Sequence, residues 1–326
     1  MLGKTVNGRF VIESDLYSDK LGKAWVANDE AGGSKVSIVL IDPELKPDIA
    51  GLPGLMEINS QIHSLQSPHL VPVIDSGTTS DGLVYLASPL PDGTVPLQDL
   101  VKGGAPIEKA LQVVKQLLEA ISQAPFQHLD ISGTSVMVSD FDANPIARMT
   151  RFGVDKLLPA YSTARKADPF HGTPEYMAPE VCSGKGPSES SDIYSLGILV
   201  YQRVVGKCPF VSTNIQTVLK RQIFEKPLPL HLLKRGVAGI TDFEKVMLAT
   251  LQKMPARRNG DASELLAQIE EFASGFYPDM SWVAAPGANW DEPMVSKMEP
   301  EPVEPEPVEP EPVEPEPVEP EPVEPE

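Results

Sequence analysis

The sequence predicts an α+β protein of two lobes: a small five-stranded β lobe with one helix, then a larger, mainly helical lobe, followed by a disordered tail. Three observations predict this. Short β-favouring runs dominate the first ninety residues. Helical periodicity dominates the rest. From Glu299 the chain is a strict five-residue repeat of Glu-Pro-Val-Glu-Pro. The predicted boundaries are 8–88 for the first lobe, 89–276 for the second, 277–298 for a linker and 299–326 for the tail.

In the first lobe, Arg9–Ile12, Lys23–Asn28 and Lys35–Ile41 read as strands, interrupted by the turn-forming run Asp29 to Ser34. Gly51 to Leu65 reads as a helix, with Leu55, Ile58, Ile62 and Leu65 at spacings of three and four. Val71–Ile74 and Gly82–Ala87 read as two more strands. The proline-rich run Ser88 to Pro96 reads as a hinge. In the second lobe, Pro106 to Ala124 carries one continuous apolar stripe. Residues 191 to 205 are apolar nearly all round, the pattern of a buried helix. Asp192 at its start suits a helix dipole. Asp242 to Gln252 and Asp261 to Ala273 each open on Asp and continue with helical spacing.

Net charge is −19 over 326 residues, but the last 28 hold twelve Glu and no base. The rest carries about −7, an ordinary acidic surface with no basic cluster of the kind nucleic acid requires. Cys182 and Cys208 have neither metal spacing nor a disulfide framework. No metal site is expected. No run is long and apolar enough to span a bilayer, and the first ten residues have no signal-peptide core, so a cytoplasmic location is expected. Proline density excludes helix and sheet in the tail, which reads as an extended polyproline II rod. It serves either as a spacer or as a peptide ligand. The stretch 277–298, with Trp282 and Trp290, reads as a linker, the alternative being a strap packed on the second lobe.

Four motifs carry a resemblance to a known family: Gly172-Thr-Pro-Glu-Tyr-Met-Ala-Pro-Glu180, Ser191-Asp-Ile-Tyr-Ser-Leu-Gly197, Cys208-Pro-Phe210 and Pro255-Ala-Arg-Arg258. In that order they resemble the second lobe of eukaryotic-type (Hanks-type) bacterial serine/threonine protein kinases. The resemblance covers roughly residues 8 to 275. It implies that Glu180 pairs with Arg258 and that Asp192 holds the backbone of the catalytic loop. It implies a hydrophobic column of Ile62, Val73, His128 and Phe152. Leu86 aligns as gatekeeper beside an adenine-facing hinge from Leu83 to Pro89.

The chemical positions depart from the family pattern. Phosphoryl transfer needs close backbone approach to the phosphates, a lysine on them, metal ligands and a carboxylate near the acceptor. Tyr17, Asp19 and Gly22 align with the three glycines of the phosphate loop, and only Gly22 is a glycine. Val39 stands where the phosphate-binding lysine belongs, and Ile58 where its glutamate partner belongs. Asp130 aligns with the catalytic base. Ser132 replaces the following lysine, and Ser135 the magnesium-binding Asn. Leu129 replaces an arginine that receives a phosphorylated activation loop. Arg151-Phe-Gly153 stands for Asp-Phe-Gly, a fixed cation in place of a magnesium ligand. Two roles for Arg151 stay open: pairing with Asp130, or replacing the metal against a nucleotide phosphate. Thr173 has only Asp130 left to meet.

The resemblance therefore implies a degenerate member, a pseudokinase acting as a scaffold or regulatory binding module in signalling, with weak or absent ATP binding and no magnesium. Two alternatives are a serine/threonine kinase with displaced groups, Lys20 or Lys23 serving as the lysine, and a metal-independent ATP sensor. The expected partner is a protein, an active kinase or its substrate, with Pro169 to Pro179 as a candidate contact surface. Tyr161, Ser162 and Thr163 are candidate phosphorylation sites.

Overall fold

A computed structural model describes residues 1–100, 103–158, 173–258, 261–280, 282 and 290. The activation-segment hydroxyls Tyr161, Ser162 and Thr163 and the repeat tail lie outside these residues.

The first lobe is built on β1 (Thr5–Val6), β2 (Phe10–Ser18), β3 (Gly22–Asp29) and β4 (Lys35–Ile41), followed by α1 (Leu52–Ser64), β5 (Asp75–Thr78) and β6 (Val84–Pro89). Its sheet runs β1-β2-β3-β4-β6-β5, with antiparallel neighbours throughout. There are six strands, the two-residue β1 being an addition to the predicted five. Strand alternation splits β4 cleanly. Val36, Ile38 and Leu40 join Phe10, Ile12 and Trp25 on one face, and Val39 and Ile41 join Ala24 and Leu86 on the other. That second face looks into the cleft between the lobes.

Val71–Ile74 is not a strand. Pro72 has no N–H to give a ladder. Its neighbours are satisfied elsewhere: the Val71 N–H by the Met149 carbonyl and the Val73 N–H by the Asn59 side chain. The edge strand forms one step later, at β5.

The second lobe begins with β7 (Val95–Pro96), then α2 (Ile107–Gln123), β8 (Val136–Ser139) and β9 (Ile146–Met149). The three short strands form a separate sheet in the order β7-β8-β9. The remaining helices are α3 (Pro179–Cys182), α4 (Glu189–Val205), α5 (Ile215–Phe224), α6 (Leu230–Leu233), α7 (Ile240–Thr250) and α8 (Ala262–Phe276). Helix α4 is buried along most of its length. A capping box between Ser188 and Ser191 starts it, and Gly206 at φ 92° ends it. Asp192 does not cap this helix. Both its oxygens face the loop before β8. Gly197 lets α4 approach α7, because a Cβ there would meet the Thr250 hydroxyl at 2.1 Å.

Among the described residues after α8, Tyr277, Met280 and Trp282 pack on the second-lobe core, and Lys115 Nζ lies 5.2 Å from the Trp282 ring centroid. Trp290 is 8 % exposed, and its backbone N–H donates to Gln66 Oε1 just beyond α1, at 3.3 Å. The described residues of this stretch thus lie against the folded body. No helix among the described residues is long and apolar enough to cross a membrane.

Candidate functional site

The site lies between the β2–β3 turn above and the two loops flanking the β8–β9 hairpin below. The lower wall is fixed from α4. Asp192 Oδ2 accepts the N–H of His128 at 2.7 Å and Oδ1 that of Leu129 at 2.8 Å. Burial pushes this carboxyl up to about 7, against the pull of those two N–H groups. His128 bonds through Nε2 to the Thr150 carbonyl, and its ring meets Phe152 edge-on at 4.7 Å. Burial holds this imidazole neutral, with its pKa lowered to about 4.

Phe152 is in turn held from α1. Asn59 Nδ2 donates to the Phe152 carbonyl at 2.9 Å, while Asn59 Oδ1 accepts the Val73 N–H at 2.7 Å. Ile62, Val73, His128 and Phe152 are all buried around this tie. Asn59 was not singled out from the sequence. The available signal was a polar side chain between Leu55 and Ile62 on an otherwise apolar helix face.

Ser132 and Ser135 close the loop on itself. Ser135 Oγ accepts the Ser132 N–H at 2.8 Å and donates to the Ser132 carbonyl at 3.2 Å. Asp130 is partly exposed, and burial pushes its carboxyl up to about 6, opposed by Arg151. The Thr173 N–H bonds to this carboxylate.

Arg151 occupies the centre, 3 % exposed and at φ 69°, a left-handed conformation uncommon for any residue but glycine. Its Nη1 donates to Asp19 Oδ2 at 2.6 Å. Its Nη2 reaches the hydroxyls of Ser132 and Thr134, each at 3.3 Å, and stands 3.5 Å from Asp130 Oδ2. The main partner is therefore Asp19 from the opposite lobe, with Asp130 more distant. Thr134 completes the link by donating to the same Asp19 oxygen at 2.6 Å. The other Asp19 oxygen accepts the N–H groups of Leu21 and Gly22 at 2.9 and 3.2 Å, shaping the turn. Burial opposes ionisation of Asp19, but Arg151 and Thr134 win and hold its pKa below the ordinary carboxylate value. Two of these contacts, from Arg151 and from Thr134 to Asp19, join the β2–β3 turn to the lower wall. Thr134 was missed from the sequence because its partner is 115 residues away.

The same turn fills the cleft with apolar atoms. Tyr17 and Leu21 are buried in a cluster with Ala24, Val39, Leu86 and Met137. Val39 pairs across the sheet with Ala24 on one side and Leu86 on the other. Gly22 serves packing: a Cβ there would lie 2.0 Å from the Leu40 carbonyl oxygen. Lys23 is tied to Asp15 at 2.9 Å and lies over Trp25, on the sheet face opposite Ala24 and Val39. Below the cleft, Glu180 and Arg258 form a bidentate pair with both contacts at 2.6 Å, and Ser191 adds a third bond to the same carboxylate.

With this geometry in hand, comparison with known proteins places the chain in context. The protein kinase domain family matches residues 48–268. The chain is 27 % identical over 295 residues to the serine/threonine-protein kinase pkn2 of Myxococcus xanthus, covering 87 % of this chain and 35 % of that protein. It is 27 % identical over 224 residues to the serine/threonine-protein kinase PknB of Mycobacterium leprae, covering 66 % of this chain and 35 % of that one. It thus spans about a third of the length of these curated relatives. The crystal structure of the Mycobacterium tuberculosis PknI kinase domain superposes with a TM-score of 0.63 at 18 % identity, over 84 % of this chain and 99 % of that chain, a likeness of fold.

Proposed function

The chain belongs to the protein kinase domain family, and from that premise we propose that it is a pseudokinase, a binding or scaffolding module in signalling that does not transfer phosphate. One observation carries this reading. The cation at the metal-ligand position, Arg151, is engaged by Asp19, which stands where the family has a phosphate-loop glycine.

The residues present do not fit ATP and magnesium. A triphosphate entering under the β2–β3 turn would meet the Asp19 carboxylate and would have to break its bonds to Arg151 and Thr134. An adenine ring would have to displace Tyr17 and Leu21 from the apolar cluster that also contains Val39 and Leu86. A divalent cation seeks several hard oxygens, and here a guanidinium stands between the Asp19 and Asp130 carboxylates. The displaced-lysine alternative loses Lys23, which lies on the far face of the sheet, and keeps only Lys20 as its lysine. The sensor alternative loses support because Arg151 is already paired. What persists is packing: the Glu180–Arg258 pair, the Asp192 loop clamp and the column at Phe152 hold a surface for a protein partner.

The test is a thermal-shift titration with ATP, with and without magnesium or manganese, beside a radiolabelled autophosphorylation assay. No shift and no label are expected. A metal-independent shift abolished by Arg151→Ala would establish the sensor instead. Label that disappears in Asp130→Asn would overturn the proposal.

A further inference from the structure

Charge and exposed apolar surface are both distributed unevenly along this chain, and they coincide. Residues 207 to 239 hold six of the 27 Lys and Arg and only one of the 46 Asp and Glu. Half of the large apolar side chains exposed among the described residues fall in the same stretch, including Phe224 at 80 %, Leu228 at 62 % and Leu232 at 51 % exposure. Scattered exposed apolar residues need no explanation, but a concentration beside unpaired cations does.

The backbone beneath these side chains is anchored. Helix α5 buries Val218, Leu219 and Gln222. Gln222 accepts the Tyr194 hydroxyl of α4 at 2.7 Å and donates to the carbonyls of Pro174 and Glu175 at 3.0 and 2.7 Å. Arg221 ties α5 back to the Val211 carbonyl at 2.8 Å and neutralises Glu225 at 3.3 Å, the one acid of the stretch. The extended run from Glu225 to Pro229 is held by the Tyr201 hydroxyl on the Leu228 carbonyl at 3.0 Å. Among the described residues Lys220, Lys226 and Arg235 have no carboxylate partner. The surface is therefore preorganised, which lowers the ordering cost of binding.

We propose that the α5–α6 surface around Lys220, Phe224, Lys226 and Leu228 docks an acidic segment of a partner protein that carries apolar side chains among its carboxylates. The cations supply steering and register, and Phe224 and Leu228 supply the apolar contact. An anionic membrane is the weaker fit. The body as a whole carries about −7, so a flat anionic surface repels most of it, whereas a peptide meets only the charges within a Debye length of about 10 Å. The inference does not depend on whether the cleft is inert, because no residue of the cleft takes part.

The test uses the full chain and a fluorescently labelled library of short peptides in which Glu and Leu positions vary, read by fluorescence anisotropy. Acidic peptides with interspersed Leu should bind, and their Lys-for-Glu counterparts should not. Lys220→Glu combined with Lys226→Glu should weaken binding about tenfold or more, and raising salt should weaken it further. Phe224→Ser should weaken it at constant salt dependence. All three positions are exposed, and circular dichroism verifies that the variants fold. Failure of every acidic peptide, or binding indifferent to the charge reversal, overturns the proposal. So does a result in which the same variants abolish sedimentation with phosphatidylglycerol vesicles, or self-association in sedimentation velocity, in place of peptide binding. The phosphate-transfer assay reads the cleft separately, so the two proposals fail independently.

Discussion

Arg151 and Asp19 are each tolerable only because of the other. An isolated buried charge costs several kcal/mol, and removing one partner leaves the second uncompensated. Arg151→Met is therefore expected to destabilise the domain by about 3–5 kcal/mol, and Asp19→Val by a similar amount. The double substitution Asp19→Val with Arg151→Met should recover most of that loss, since a well-packed apolar pair replaces two desolvated charges. Denaturant unfolding of the four proteins measures the cycle, and additive losses would show that the pair is not coupled. The neighbouring carboxyls give a pH signature. Asp130 and Asp192 have native pKa values raised to about 6 and about 7. Raised native values mean a contribution fully present below the unfolded carboxyl pKa and lost as pH rises through 6 to 7. His128 works in the opposite sense, but its loss sets in only as pH falls from the ordinary imidazole value towards about 4. Stability should thus fall as pH rises from about 4 to about 7, partly offset by His128 up to the ordinary imidazole value, and Asp130→Asn should flatten the part of that slope below about 6. A melting temperature independent of pH across this range contradicts the assignment.

At the level of elements, the β2–β3 turn shows how a familiar position acquires another use. Gly22 at φ 152° lies against the Leu40 carbonyl and the Asp42 N–H, so an added methyl would push β3 off β4. Gly22→Ala should cost about 3 kcal/mol and loosen the turn that carries Asp19. Gly82→Ala, a left-handed glycine with open space around it, should cost only about 1 kcal/mol. Equal effects would remove the packing argument. The strands and long helices were legible because Phe10 and Ile12 alternate and because α2 carries its apolar residues at helical spacing. The three-strand sheet was not, since β7 has two residues and β8 and β9 have four each, too few to display a period. Val71–Ile74 misled because a β-branched run outweighed Pro72. The departures from the family pattern at Val39, Ser135 and Arg151 could be read from the sequence. Where Arg151 would find its counter-charge could not, because Asp19 is 132 residues away and reaches it only once the turn has folded.

Across the whole folded body, α1 is held from two directions. On its inner side Asn59 bonds to both Phe152 and Val73. Beyond its C-terminal end, Gln66 receives the Trp290 N–H from the residues after α8. Before it, Trp282 lies over Lys115, which also pairs with Glu119 at 2.7 Å and with Glu270 of α8. Trp282 therefore contacts the side chain that pairs with α8, and Trp290 contacts the end of α1, both outside the segment that matches the family. If the chain acts as the proposed scaffold, such a tie would hold the lobes in a fixed relation with no nucleotide between them. Trp290→Ala should remove a nearly fully buried ring and cost about 3 kcal/mol. The loss should be local before it is global. Amide exchange in residues 52–64 should accelerate about tenfold or more, while α4 and α8 remain protected until global unfolding. Gln66→Ala should reproduce the exchange effect in α1 with a smaller loss of stability, because it removes the hydrogen bond and leaves the ring. If exchange in α1 is unchanged in both variants, the residues after α8 pack without restraining the helix, and the relation of the lobes rests on the contacts of Asp19 with Arg151 and Thr134 and of Asn59 with Phe152.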